Sequence, residues 1–190
     1  VAIMKNEELI SNFLTGDISA FNMLVRKNQD EIFNFLLKYT ADREAARDIM
    51  QQVFILVYKK LKKLKEPKKF KSWLYTIAVN QAKNHFRRQR ETTFSELSVR
   101  QEFDPGEEEK YSANNQSSNL IIKKALQSIP KEQRVVVIMK QYHNLKFTEI
   151  AFILNEPVNT VKARLYYGLS ALKKTLINWG IAKEDLGYEM

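Results

Sequence analysis

The chain has 190 residues, with 31 Lys and Arg against 22 Asp and Glu, for a net charge of +9 at neutral pH. This length admits one ordinary domain or two small ones, and 44% hydrophobic beside 28% charged residues excludes a disordered chain. Without cysteine there are no disulfides, zinc fingers or thiol nucleophiles, and the positive excess points to a polyanion, either nucleic acid or an anionic membrane surface.

The five glycines and four prolines mostly fall between apolar-periodic stretches, so the chain is predicted to be all-α. A first helix is expected over 18–39, capped by Asp17 after Gly16, with Phe21, Leu24, Ile32, Phe35, Leu36 and Tyr39 along one face. A second is expected over 43–64, striped by Ala46, Ile49, Val53, Phe54, Val57 and Leu61. The third is expected over 70–90, ending where Glu91-Thr92-Thr93 breaks the pattern.

Residues 91–119 then change character. Seven acids stand there against Arg100 and Lys110, and Pro105-Gly106 with the polar run 112–119 reads as a flexible acidic linker. Beyond it, amphipathic helices are expected over 120–129, 132–142 and 148–154. A turn at Asn155-Glu156-Pro157 leads into a long helix over 158–177, with Val158, Val161, Leu165, Leu169 and Leu172 inward. Two helical domains follow, at 5–90 and 120–178, with the linker between them and a short tail at 179–190. There is no run of about 18 apolar residues and no cationic-then-apolar leader, so a cytoplasmic protein without membrane insertion is expected. Met4 reads as a natural start, preceded by an added remnant at Val1 to Ile3.

Two constellations carry chemistry. Residues 147–172 follow helix-turn-helix arithmetic, and the second helix offers Asn159, Thr160, Lys162, Ala163, Arg164, Tyr166 and Tyr167 on a polar face. Lys and Arg donate to guanine edges, Asn bridges adenine, and Thr contacts phosphate or a thymine methyl. A plain helical hairpin with a solvated face would show the same spacing. The second constellation is the stretch 55–90, where twelve cations stand against Glu66 alone, interleaved with Tyr58, Phe70, Trp73, Tyr75 and Phe86. Cations hold phosphates and aromatics stack on unpaired bases, although a Lys run is also what a solvated helix end looks like and such aromatics also fill cores. Catalytic signatures are missing. There is no phosphate-binding glycine loop, no HExxH and no nucleophile elbow. His143 has no evident carboxylate to orient it, so neither an enzyme, a metal site nor a cofactor is expected.

Together these stretches resemble an extracytoplasmic-function (ECF) sigma factor, a bacterial initiation subunit of the sigma-70 family. RDIMQQVFILVY (47–58) stands where region 2 of the family has a DAEDLVQEVF-like helix, and FKSWLYTIAVNQAKNHFRRQR (70–90) matches its next segment. IPKEQRVVVIMKQYHNLKFTEIAFILNEPVNTVKARLYYG (129–168) is similar to region 4. The resemblance implies that Asp48, Gln51, Gln52, Phe54 and Ile55 dock on the β′ clamp helices of core RNA polymerase. Lys62, Lys63, Lys65, Lys68, Lys69, Lys71, Ser72 and Trp73 would hold the extruded non-template base of the −10 element, with Asn80, Lys83, Asn84, Arg87 and Arg88 on the adjoining duplex. Thr148 and the seven residues of the second helix would read the −35 element, with region 4 against the β flap. An anti-sigma factor is a further implied partner. Departures are Arg47 and Gln52 in place of acids, Asn159 in place of glycine, and Tyr166-Tyr167 in place of a His-Arg pair.

Overall fold

Eight α-helices make up the computed structural model, which describes residues 4–96 and 116–181. Helix α1 (Asn6–Leu14) was not anticipated from the sequence: its apolar stripe is only Leu9, Ile10 and Phe13, too short to hold a helix in isolation. It forms because those three side chains bury against α2, and because the Glu8 carboxylate accepts the Lys5 N–H at 2.9 Å.

Helix α2 (Ile18–Thr40) starts at the expected cap, where Asp17 accepts from the Ser19 and Ala20 amides. It ends on Ala41 in the left-handed region, φ 62°. Asp42 then accepts the Ala45 N–H at 3.0 Å to open α3 (Arg43–Lys60). Two single 3₁₀ turns, Leu61–Lys63 and Pro67–Lys69, lead to α4 (Phe70–Glu96). Buried Leu61 and Phe70 anchor this basic connection at its two ends.

Helix α4 runs six residues past the expected end. Glu91, Thr92 and Thr93 are at worst mildly poor helix formers, each costing under about 0.7 kcal/mol. No glycine or proline intervenes, and Arg87 and Glu91 form an i,i+4 pair at 3.8 Å. The greater part of the expected linker lies outside the described residues.

The second domain comprises α5 (Gln116–Ser128), α6 (Lys131–Gln141), α7 (Phe147–Leu154) and α8 (Val158–Asn178). Pro130 and Pro157 sit immediately before α6 and α8, where a missing N–H does no harm. Every residue of α6 from Arg134 to Met139 is buried, more than one apolar stripe accounts for. One side of α6 packs on α8 and the other on α2, while α7 packs on α4. Buried side chains of both domains therefore form one continuous cluster. No described helix is long and apolar enough to cross a membrane.

Candidate polymerase and nucleic-acid interfaces

On α3 the residues Asp48, Gln51, Gln52 and Ile55 recur at i, i+3, i+4 and i+7, and all four are exposed. Phe54 belongs to the opposite side of the helix. At 8% exposure it fills the core against which that face is fixed. A groove of about 390 Å³ runs between α3 and α4, and it sets Asp48, Gln51 and Gln52 opposite Asn84, His85 and Arg88. Residues expected to meet polymerase and residues expected to meet duplex DNA thus face one another.

The basic connection presents Lys62, Lys63, Lys65, Lys68 and Lys69 to solvent, with Lys69 tied to Glu66 at 2.8 Å. Ser72 is buried, and Trp73 is half-buried with its ring 6.1 Å from that of Phe70, so these two support the segment from the core side. Along α4, Asn80, Lys83, Arg87 and Arg88 are exposed and Asn84 is half-buried, spaced as one stripe.

In the helix-turn-helix, the Glu149 carboxylate accepts the Lys146 N–H at 2.7 Å to start α7, and Asn155 (φ 54°) makes the turn. Asparagine tolerates that left-handed conformation better than most side chains. Thr148, Asn159, Lys162, Ala163, Tyr166 and Tyr167 are exposed, Thr160 is half-buried, and Val161 is fully buried beneath them. Arg164 is half-buried and paired with Glu156 at 2.9 Å. Leu169, expected inward, is 39% exposed; the position facing the core is Gly168. There the α8 backbone comes so near α6 that a Cβ would stand 2.8 Å from Val137 Cγ2.

Sequence reasoning missed the polar contacts between the two domains. Glu31 on α2 holds Lys71 at 2.7 Å, accepts the Tyr75 hydroxyl at 3.0 Å and stands 3.7 Å from His143 Nδ1. His143 therefore does have a carboxylate, supplied from the other domain, and its side chain is 5% exposed. The His143 ring, then Lys71 and Tyr75, outweigh burial and hold Glu31 down to about 2. Burial, reinforced by the Glu31 charge, pushes the Tyr75 phenol well above its ordinary range. Arg134 donates to the Tyr39 carbonyl of the first domain and to the Gln127 and Ile129 carbonyls of its own. Lys131 Nζ lies 3.8 Å from the centre of the Phe86 ring, and Gln127 Nε2 donates to the Lys38 carbonyl at 3.3 Å. Nothing local in the sequence marks Glu31 or Arg134, because their partners are remote in the chain.

Comparison with known proteins places these features in a family. Residues 24–92 match the model of sigma-70 region 2, and residues 119–172 match that of sigma-70 region 4. The RNA polymerase sigma-H factor of Pseudomonas aeruginosa is 27% identical over 181 residues, covering 90% of this chain and 94% of that protein. The ECF RNA polymerase sigma-E factor of Escherichia coli is 28% identical over 178 residues, covering 89% and 93%. Among solved structures, the sigma factor RpoE of Bartonella quintana in complex with the anti-sigma factor NepR superposes with a TM-score of 0.69 at 19% identity, covering 84% of this chain and 98% of that one. CnrH in complex with the cytosolic domain of CnrY gives 0.68 at 17% identity, covering 91% and 97%. At those identities the structures speak to the fold.

Proposed function

Because the chain belongs to the ECF sigma factors of the sigma-70 family and directs promoter-specific transcription, we propose that its two domains grip a promoter at two places. The charge distribution carries this reading. Net charge is +11 over residues 55–90 and +7 over 120–178, against −5 over the intervening 91–119. A diffuse polyanion binder has no need of such segregation.

In this mechanism the exposed α3 face docks on the β′ clamp helices of core polymerase, and the second domain meets the β flap. The lysines of the 62–71 connection hold the non-template strand of the −10 element once a base has left the stack. Unstacking a base costs a few kcal/mol, which pocket contacts and stacking offset. Asn80, Lys83, Arg87 and Arg88 neutralise phosphates of the adjoining duplex, and each such contact adds about −0.9 to the log–log salt slope. The exposed face of α8 reads the −35 element. Asn159, Thr160, Lys162, Ala163, Arg164 and the tyrosine pair supply the contacts, with Glu156 holding the Arg164 guanidinium beside them in the free chain. Polymerase, working in the cytoplasm, performs the bond chemistry; this chain contributes promoter choice. An anti-sigma factor that covers the polymerase-binding faces fits the same surfaces, as the complexes of RpoE with NepR and of CnrH with CnrY illustrate for those proteins.

Reconstituted transcription with core polymerase on a promoter library tests the reading. One shared pair of −35 and −10 sequences among the initiated templates is the expected result, and initiation indifferent to sequence would sink it. Exchanging residues 62–71 for those of another ECF sigma factor should change the −10 base preferred and leave the −35 preference alone.

A further inference from the structure

Four lysines from separate parts of the first domain converge on one concavity. Lys5 precedes α1, Lys27 stands on α2, Lys68 belongs to the second 3₁₀ turn and Lys71 opens α4. They line a hollow of about 250 Å³, the room of about eight water molecules, and Glu7 is the one acid among its described lining residues. Lys5 and α1 lie outside the stretch 24–92 that matches sigma-70 region 2.

The fold fixes this wall in place. Asn6 and the buried Asn28 exchange side-chain hydrogen bonds at 3.4 and 3.2 Å, and Lys27 Nζ donates to the Met4 carbonyl. Helix α1 also packs against the 3₁₀ turn Pro67–Lys69, which brings Lys5 beside Lys68. The N-terminus of α1 is already capped by Glu8, so any anion in the hollow answers to the lysine side chains. Lys71 is paired with Glu31, whereas the Lys5 and Lys68 ammonium groups have no acidic partner among the described residues. Gathering like charges in a concave site costs free energy that a bound anion offsets.

We propose that this hollow is a phosphate-binding site for the melted non-template strand, in which Lys5 and Lys27 hold a backbone phosphodiester next to the base captured by the 62–71 connection. The inference rests on the promoter-gripping reading above. Position favours this occupant. The hollow sits at the N-terminal end of α4, and at 1.5 Å per residue Asn80 lies ~14 Å and Arg88 ~26 Å farther along that helix. A strand that leaves the duplex on that stripe and yields a base to the connection arrives at Lys5 and Lys27 next. Lysine offers a compact charge with three rotatable donors, suited to a phosphate whatever base it carries. The site therefore adds grip and register, and no base preference of its own.

Holoenzyme assembled with core polymerase is titrated onto a fork carrying the −10 sequence recovered from the promoter library. The fork is duplex upstream and has a single-stranded non-template tail, with one methylphosphonate placed at each tail linkage in turn. One linkage is expected at which removing the charge weakens wild type several-fold and makes no further difference to the Lys5→Gln, Lys27→Gln double variant. On the unmodified fork the double variant should show a log–log salt slope shallower by about 0.7, the value for one single-strand phosphate. Because Lys27→Gln gives up the Met4 carbonyl bond, Lys5→Gln alone is the second variant, and it should single out the same linkage with a smaller effect. An equal methylphosphonate penalty in wild type and Lys5→Gln at every linkage overturns the proposal. So does binding of inorganic tripolyphosphate by the free wild-type chain, lost in Lys5→Gln, when no tail linkage separates the two proteins; the site then serves a free polyphosphate. Wild-type holoenzyme that binds this fork no better than one with a scrambled −10 sequence would instead bring down the promoter-gripping reading, and this inference with it.

Discussion

The Arg134 guanidinium reaches oxygens on both domains: the carbonyls of Tyr39, Gln127 and Ile129, and the Gln127 side-chain amide oxygen. Arg134→Met leaves three main-chain acceptors without this donor and is expected to cost about 3–5 kcal/mol, read as a lower urea midpoint. Arg134→Lys should recover little of that loss, since an ammonium cannot fork toward several acceptors in one plane. Glu31 makes its contacts with Lys71, Tyr75 and His143 depend on pH with a definite sign. Its carboxyl is ordinarily near 4.5 and is held down to about 2 when folded, so its contribution is fully present above about 4.5. That contribution fades as pH falls from there toward about 2. Interdomain energy transfer should fall over this window in the wild type, and in Glu31→Gln the step should be absent. At Ala41, φ of 62° is a conformation that alanine adopts at a penalty and glycine does not. Ala41→Gly should therefore stabilise by about 0.5–1 kcal/mol once the entropy of the unfolded glycine is discounted, seen as a higher melting temperature.

Where α6 and α8 meet, Gly168 sets how near the two helices lie. A methyl group there meets Val137 Cγ2 at 2.8 Å and Gln133 Cβ at 3.3 Å, so Gly168→Ala is expected to destabilise by about 1–3 kcal/mol despite alanine's better helix propensity. Adding Val137→Ala should recover part of the loss, giving a double variant less damaged than the two single changes summed; strict additivity in thermal melts would refute the steric account. Local chemistry made most of the helices legible. Asp17, Pro130, the Asn155–Pro157 turn and the 3.6-residue stripes mark α2, α3, α6, α7 and α8 close to where they lie. Helix α1 escaped because three apolar residues mean little until α2 covers them, and α4 outran its pattern because a helix needs no apolar stripe to continue into solvent. Exposure of the α3 face and of Tyr166-Tyr167 was legible for the same reason, being a matter of spacing. That Leu169 points outward was not, because it follows from how closely Gly168 brings two helices together.

Whole-molecule organisation was legible as two domains and illegible as their contact. Arg134 reads as one more cation, and His143 as a loop residue, until the first domain supplies Tyr39 and Glu31. A core shared across the two domains makes them unfold together, and the chain carries its own reporters: Trp73 in α4 and Trp179 at the end of α8. Single-tryptophan variants made by Trp73→Phe and Trp179→Phe should give coincident urea midpoints, whereas midpoints well apart would show that the domains melt independently.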